Sequence, residues 1–309
     1  MSESAEDDAH EELGEFREFP YRAVPAERLR LGDHACMTFD DREAQWQVLT
    51  AYTRTSLAQG EKVLIVLDPD DLGDDEVVAH LDRGSGHVAA ARDGGQLELR
   101  RNTDVYLPDG RFSKERQLAT YADEVDRAYD EGWSGLRLAA DMTWALRPGV
   151  DSEKVVDYEA ALEPLFADPR FTAICWYDRK RFSEELVASM RRVHPLQCME
   201  RMDALDVDRT EAGTRIAGSA EPGTRTDFMA ALRTALESQT VRGPFHFELD
   251  LTDLCFMEAH CAWQLVGFAK SLPGGSRVTV RCGQLLELVL RQLGADGVPQ
   301  LVISVEEEE

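Results

Sequence analysis

Three short, mostly apolar stretches constrain the fold of this chain more than any other feature. Residues 63–67 read VLIVL, residues 136–140 read LRLAA and residues 172–177 read TAICWY, and segments with helical apolar spacing separate them. Strands of this kind are buried on both faces, and their alternation with helices is typical of a parallel sheet covered by helices. The sequence therefore predicts an α/β fold, with a mainly parallel, doubly covered sheet, over its first two-thirds.

The last third of the chain repeats this alternation on a smaller scale. Residues 245–251 alternate apolar and polar side chains, as a strand does, and a short second apolar piece follows at residues 255–257. Glu258 then opens a helical pattern that passes through Trp263. Further strands are predicted at residues 214–218, 278–282 and 301–303. The sequence therefore predicts a second, smaller α/β domain.

Length and composition set the domain plan and exclude several functions. The 309 residues carry 34 basic and 59 acidic side chains, a net charge of −25, and such a surface repels nucleic acids. No apolar run is long enough to span a membrane, and six scattered cysteines without a CxxC pair indicate a reducing cytoplasm. We predict a disordered acidic segment at residues 1–19 and a first domain at residues 20–205. A linker at residues 206–213 leads to a second domain at residues 214–305, and residues 306–309 form an acidic tail.

Four motifs in the first domain form a recognisable set. They are GDHAC at residues 32–36, YLPDGRFSKERQL at 106–118, LRLAADMTWAL at 136–146, and CWYDRKRFSEEL at 175–186 with a later His-Pro pair. The set resembles the MEDS domain, the sensory domain of methanogen, methylotroph and dichloromethane regulators. This resemblance implies a degenerate RecA/KaiC-like fold that senses a small ligand. Asp141 departs from it, because a glutamate is more usual at that position.

The resemblance and the ends of the predicted strands together suggest a ligand pocket. Ligands of open α/β sheets bind at the carboxyl ends of the strands, where Asp68, Asp141 and Asp178 are expected. The alternative is that these aspartates cap helices and the aromatic side chains fill the core. The predicted ligand-binding residues are His34, Cys36, Phe39, Asp141, Trp144, Tyr177 and His194.

Enzymatic and metal-dependent alternatives remain open. A RecA-like ATPase needs a GxxxxGK[ST] loop to hold phosphates, and this chain contains none. His34, Cys36, His194 and Cys198 are residue types that bind zinc, so a metal- or redox-dependent sensor is one alternative. A degenerate nucleotide-binding enzyme that uses His34 and Cys36 is another. The leading interpretation has no catalytic residues, no metal and no cofactor.

The segment FHFELDLTDLCFMEAHCAW, at residues 245–263, carries a second resemblance. It is similar to the STAS domain of anti-sigma-factor antagonists, in which a serine at the start of a helix is phosphorylated by a partner kinase. Ala259 occupies that position here, so the serine switch is missing. The resemblance implies binding of an anti-sigma factor or another signalling protein, through Glu258, Ala259, His260, Cys261 and Trp263. The oligomeric state stays open.

Overall fold

A computed structural model describes residues 22–209, 213–237 and 244–306. The strands in these residues form two separate sheets. The predicted disordered segment at residues 1–19, and all of the predicted acidic tail except Glu306, lie outside the described residues.

The first sheet is wholly parallel. Its seven strands follow the spatial order β1-β7-β2-β6-β5-β3-β4, and every neighbouring pair runs in the same direction. These strands are β1 Arg22–Val24, β2 His34–Phe39, β3 Lys62–Leu67, β4 Leu97–Arg101, β5 Leu136–Asp141, β6 Phe171–Asp178 and β7 Leu196–Cys198. The three apolar stretches identified in the sequence are the central strands β3, β5 and β6, which confirms the predicted α/β architecture.

Helices cover this sheet on both faces. They are α1 Arg42–Ala58, α2 Asp74–Asp82, α3 His87–Asp93, α4 Asn102–Tyr106, α5 Lys114–Asp130, α6 Ser152–Ala161, α7 Glu163–Phe166 and α8 Glu184–Val193. One core cluster packs α5, α6 and α8 against one face, and a second packs α1, α2 and α3 against the other. Side-chain caps define several helix starts: Asp41 accepts from the backbone of Glu43, and Ser183 from that of Leu186.

The second sheet is smaller and has one antiparallel strand. Its members are β8 Leu205–Arg209, β9 Gly213–Ala220, β10 His246–Asp250, β11 Leu254–Met257, β12 Arg277–Cys282 and β13 Leu301–Val305, with α9 Arg225–Glu237, α10 Ala259–Ser271 and α11 Gln284–Gln292. β8 runs antiparallel to β9, whereas β10 and β11 follow one another along the opposite side of β9. A single apolar core holds the three helices on this sheet. The chain therefore has the second α/β layer that the sequence predicts.

The segment predicted as a linker, residues 206–213, is in part a strand. Residues 205–209 form β8 and pair with β9, so the second unit begins before the predicted boundary at residue 214. The polar composition misled the prediction, because β8 is an edge strand with little buried surface and needs few apolar residues. Residues 210–212 lie outside the described part of the chain.

The two units touch through buried polar and apolar contacts. Ala23 and Met199 of the first unit pack against Ala217 of the second. Arg22 of β1 donates to Asp253 Oδ2 at 3.0 Å from its Nε, and Arg215 of β9 donates to the carbonyl of Ala23 at 2.5 Å. Among the described helices, none is long and apolar enough to cross a membrane.

Candidate functional site

Four side chains with acid–base or metal-binding chemistry converge on one face of the first sheet. His34 opens β2, Cys175 lies in β6, Glu159 belongs to α6 and His194 follows α8. All four are buried, and one donor atom from each lies within 4.8 Å of the others. We call this set the His–Glu–Cys cluster.

The parallel register of β2 and β6 brings two members together. His34 pairs with Ala173 and Cys36 pairs with Cys175, so His34 and Cys175 are diagonal neighbours on the same sheet face. Gly32, at φ +98°, forms the turn before β2 and donates its N–H to the carbonyl of Phe171 at 2.7 Å. This turn fixes the start of β2 against the start of β6.

Glu159 reaches the cluster from the apolar face of α6. Val155, Tyr158 and Leu162 lie at helical spacing on that face, and Glu159 is buried among them. Neither Glu159 nor Cys175 was among the site residues predicted from the sequence. A carboxylate within an apolar helical stripe was the signal that could have identified the site, because an unpaired buried carboxylate is costly.

One carboxylate oxygen lies at the centre of the cluster. Glu159 Oε2 is 3.3 Å from His194 Nε2, 3.5 Å from His34 Nε2 and 3.6 Å from Cys175 Sγ. Cys175 Sγ is also 3.9 Å from His34 Nε2. These separations exceed the 2.7–2.9 Å or so expected of charge-assisted hydrogen bonds between nitrogen and oxygen.

Neighbouring groups orient the two imidazole rings. His194 Nδ1 lies 2.7 Å from the carbonyl oxygen of Met190, which can only accept a hydrogen bond, so the proton is on Nδ1 and Nε2 faces the cluster. The His34 ring stacks on Phe166, with ring centroids 4.3 Å apart, and is tilted against the His194 ring at 4.1 Å. Tyr177 meets His194 edge-on at 6.2 Å.

Burial changes the protonation of the cluster. Desolvation, with a smaller contribution from His194, lowers the pKa of His34 to about 4. Burial by itself raises the pKa of Glu159, but its contacts with His194 and His34 outweigh burial and lower that pKa to about 2. At neutral pH the cluster therefore combines an ionised carboxylate with a neutral His34 imidazole.

This protonation state predicts acid sensitivity. As the pH falls from 6.5 towards 4, only the unfolded chain takes up a proton at His34, so this residue should remove up to about 3 kcal/mol of unfolding free energy. Urea unfolding across this range, with EDTA present to exclude metal ions, measures the effect.

His34→Gln should lose less stability over the same pH range than the wild-type chain. His246→Gln, a change at an exposed histidine that contacts Thr279, should behave like wild type. An unchanged pH dependence in His34→Gln would show that His34 does not carry the effect.

The structure gathers only part of the predicted ligand pocket. His34, Cys36, Tyr177 and His194 lie on the same sheet face, and all are buried. Burial raises the pKa of the Cys36 thiol well above its ordinary value, so this thiol stays protonated and unreactive at neutral pH.

Phe39 and Asp141 lie on the opposite face of the sheet. The structure therefore corrects the prediction of a single pocket lined by all seven residues. Phe39 is five residues from His34 along β2, and an odd spacing on a strand places two side chains on opposite faces. Asp141 accepts hydrogen bonds from Trp176 Nε1 at 2.9 Å and from the backbone of Thr143 at 2.8 Å. It caps the following 3₁₀ turn, the structural role that the sequence analysis left open.

Trp144 fills the core between other aromatic rings. It stacks on Tyr106 with centroids 4.4 Å apart and meets Tyr158, the neighbour of Glu159, edge-on at 6.3 Å. Trp144 thus belongs to the wall of side chains behind the cluster.

A cavity of about 320 Å³ opens at the carboxyl end of β3, where the sequence analysis expected a ligand. Asp68 lies at its edge, held by Arg181 Nη1 at 2.7 Å and by the Thr143 hydroxyl at 2.8 Å. None of the seven predicted ligand-binding residues lines this cavity. Its lining residues are Arg42, Asp68, Asp70, Asp71, Leu72, Glu76 and Arg181.

The four zinc ligands considered from the sequence do not form one set. Cys198 packs in the core on the face opposite His34 and directs its thiol to the carbonyl of Met199 at 3.7 Å. The described residues bring Glu159 and Cys175, instead of Cys36 and Cys198, to the donor atoms of His34 and His194.

The second unit presents the predicted partner-binding segment at the start of α10. Glu258 precedes the helix, and its carboxylate is held by two hydrogen bonds from Arg225, at 2.7 and 2.9 Å. Ala259 and His260 are exposed, and Trp263 is 58% exposed. Cys261 is fully buried in the core of the unit, so its side chain does not belong to this surface.

A family model described as "MEDS: MEthanogen/methylotroph, DcmR Sensory domain" matches residues 33–195, just over half of the chain. Every member of the His–Glu–Cys cluster lies within this match. No curated protein matches the chain.

Two solved structures resemble the chain weakly. The flagellar accessory protein FlaH from Methanocaldococcus jannaschii is 10% identical, with a TM-score of 0.40 over 62% of this chain and 80% of that one. The KaiC-like protein PH0186 from Pyrococcus horikoshii OT3 is 11% identical, with a TM-score of 0.41 over 64% of this chain and 88% of that one. Likenesses of this size carry no argument about function.

Proposed function

The chain belongs to the MEDS family of sensory domains, and from this we propose that it is a signal-transduction regulator located in the cytoplasm. Its first unit senses a small organic molecule, and its second unit binds a partner protein such as an anti-sigma factor. The six cysteines include no CxxC pair, and this sequence feature supports a reducing compartment. The observation that carries the proposal is the exposed face at the start of α10.

That face combines apolar area with a helix start that has alanine, and not serine, at position 259. Phe256 on β11 is 53% exposed and Trp263 on α10 is 58% exposed, and the His260 ring lies 6.3 Å from the Trp263 ring. Large exposed aromatic side chains are typical of protein-binding surfaces. Ala259, between them in sequence, has no hydroxyl to phosphorylate. We call Phe256, Ala259, His260 and Trp263 the α10 face.

The order of elements in the second unit supports a STAS-like module. One antiparallel edge strand is followed by parallel strands, most of which are separated by helices. A bend at residues 251–253 separates β10 from β11, and α10 follows β11. The motif resemblance of residues 245–263 falls on this bend and helix start. An anti-sigma factor with a kinase-like fold is therefore the partner that we propose.

A non-enzymatic role for the first unit is supported by the loop between β2 and α1. Only Asp40 and Asp41 separate these elements, and Asp41 caps α1. Carboxylates at a helix start repel the phosphates that a P-loop binds with backbone N–H groups and a lysine. We propose that the ligand is not a nucleotide and that the chain does not hydrolyse ATP.

A chain of contacts links the first unit to the α10 face. His194 leads directly into β7, and β7 pairs with β1. Arg22 of β1 donates to Asp253, which lies immediately before β11 and within six residues of Ala259. A shift of β7 on ligand binding would reach the α10 face through this ion pair, and only a coupling measurement tests such a route.

The experiment combines ligand identification with partner affinity. Native mass spectrometry of the purified chain, followed by a thermal-shift screen of small organic molecules, supplies the ligand. We expect this ligand to change the affinity for the anti-sigma factor by at least about fivefold, a typical coupling between two sites.

Arg22→Ala serves as the uncoupled variant. Arg22 is 53% exposed, so its loss should spare the fold while reducing the effect of the ligand on partner affinity. Equal affinities of the wild-type chain with and without a bound ligand would refute the coupling.

A further inference from the structure

We propose that the His–Glu–Cys cluster binds one divalent transition-metal ion, with zinc as the best fit. His34 Nε2, His194 Nε2, Cys175 Sγ and Glu159 Oε2 are the four ligands. This inference goes beyond the proposed sensing of an organic molecule and beyond the family assignment.

The distances within the cluster match the edges of a metal-centred tetrahedron. Zinc lies about 2.0–2.2 Å from nitrogen and oxygen ligands and about 2.3 Å from sulfur, so neighbouring ligands of a tetrahedral ion are about 3.3–3.8 Å apart. Four of the six distances among these donor atoms measure 3.3, 3.5, 3.6 and 3.9 Å, and all six are within 4.8 Å. Direct hydrogen bonds would bring the nitrogen and oxygen atoms closer than this.

The direction of one lone pair gives a second, independent argument. Because His194 Nδ1 donates to the carbonyl of Met190, a neutral His194 ring directs its Nε2 lone pair at the Glu159 carboxylate. Two acceptors that face each other in the core repel unless a cation, either a proton or a metal ion, lies between them. A hydrogen bond from Nδ1 to a backbone carbonyl is also the usual second contact of a metal-binding histidine.

Buried polar atoms without hydrogen-bond partners support metal binding by the cluster. Within residues 22–209, 213–237 and 244–306, neither His194 Nε2 nor Glu159 Oε1 has a hydrogen-bond partner, although both residues are buried. Buried polar atoms without partners are rare in folded proteins. Coordination satisfies His194 Nε2 directly and neutralises the carboxylate.

The donor types select the metal. Imidazole nitrogens and a cysteine sulfur favour zinc and related transition metals over magnesium and calcium, which prefer oxygen ligands. Four protein ligands in a buried site leave no position for substrate, which is typical of a structural metal. The ion would join β2, β6, α6 and the end of α8, and metal binding would contribute directly to folding.

The test measures metal binding by the full chain. The protein is stripped with a chelator under reducing conditions, incubated with zinc sulfate or cobalt chloride, desalted and analysed by mass spectrometry for metal content. We expect one metal ion per chain, a cobalt spectrum with a thiolate charge-transfer band, and a melting temperature at least about 5 °C above that of the stripped protein.

Matched variants assign the ligands. Cys175→Ser and Glu159→Gln should reduce retained zinc to below about a fifth of an equivalent, and Cys175→Ser should abolish the thiolate band. Cys198→Ser, on the other sheet face, and Asp141→Asn, a buried carboxylate outside the cluster, should retain one ion per chain.

Two results would overturn the proposal. The first is a folded, stripped wild-type chain that retains no zinc and shows no thiolate–cobalt band, a result that requires no variant to fold. The second is a folded Cys175→Ser chain that keeps one equivalent and an unchanged cobalt spectrum. Neither result affects partner binding by the α10 face, which is measured separately.

Discussion

Asp253→Ala is expected to lower the unfolding free energy of the chain by about 3 kcal/mol. The Asp253 carboxylate is buried between two arginines, with Arg215 Nε at 2.9 Å and Arg22 Nε at 3.0 Å. Its removal leaves the buried Arg215 guanidinium without its main partner. Asp208, 3.3 Å away, and the carbonyl of Ala23 remain, which keeps the loss at the lower end of the range for buried ion pairs.

Urea unfolding of the variant measures this loss at pH 7. Asp296→Ala is the matched control, because Asp296 forms an exposed ion pair with Arg291 and exposed pairs contribute little. The account predicts that the urea concentration at the unfolding midpoint falls clearly for Asp253→Ala and much less for the control. Similar shifts in both variants would mean that the junction between the units is not held by this ion pair.

We expect acid to weaken the Asp253 ion pairs at the contact between the two units. The Arg215 guanidinium, with that of Arg22, outweighs burial and lowers the pKa of Asp253 below its ordinary value of 3.8. A carboxylate with a lowered pKa stabilises the fold above its unfolded-state pKa, and this contribution is lost as the pH falls through the folded-state pKa. The loss therefore occurs below pH 3.8, separate from the window in which His34 acts.

Trp263→Ala is expected to weaken binding of the proposed partner, an anti-sigma factor, by about 30- to 1,000-fold, the effect of losing a central aromatic contact. Trp263 is the most exposed aromatic side chain of the α10 face, so its removal from the free protein creates no core cavity. Calorimetry or interferometry with each purified anti-sigma factor of the source organism measures the change.

Leu285→Ala provides the matched control for this variant. Leu285 is 83% exposed and lies on α11, outside the α10 face. Its truncation should leave partner affinity within about twofold of wild type, as expected for a residue outside the interface. Equal losses in both variants would show that the partner does not distinguish the α10 face from other apolar surface.

The sequence predicted the fold well where burial is complete. β3, β5 and β6 are central strands, and their apolar composition leaves no other environment for them. β8 was missed because an edge strand is half exposed and reads as a polar linker. The break between β10 and β11 was found because the apolar alternation ends at residue 251 and a second apolar piece was recognised at residues 255–257.

The site was predicted less completely, for a geometric reason. His34 and His194 were selected by motif, and the structure brings their rings together. Glu159 and Cys175 were not selected as partners, because a helix and a strand that are distant in sequence supply them. The assignment of Phe39 to the same pocket ignored the period-2 alternation of β2, and the assignment of Cys261 to the partner surface ignored the inward face of α10.

The most direct test of the account is partner binding by the wild-type chain with and without Mg²⁺-ATP, when the partner is an anti-sigma factor with kinase activity. The central claim is that the α10 face binds without a phosphorylation switch, because residue 259 is alanine. The account predicts the same dissociation constant in both conditions and no phosphate on the chain by mass spectrometry. Phosphate on residues 245–271 together with at least about tenfold weaker binding, as a phosphate in an apolar interface causes, would contradict it.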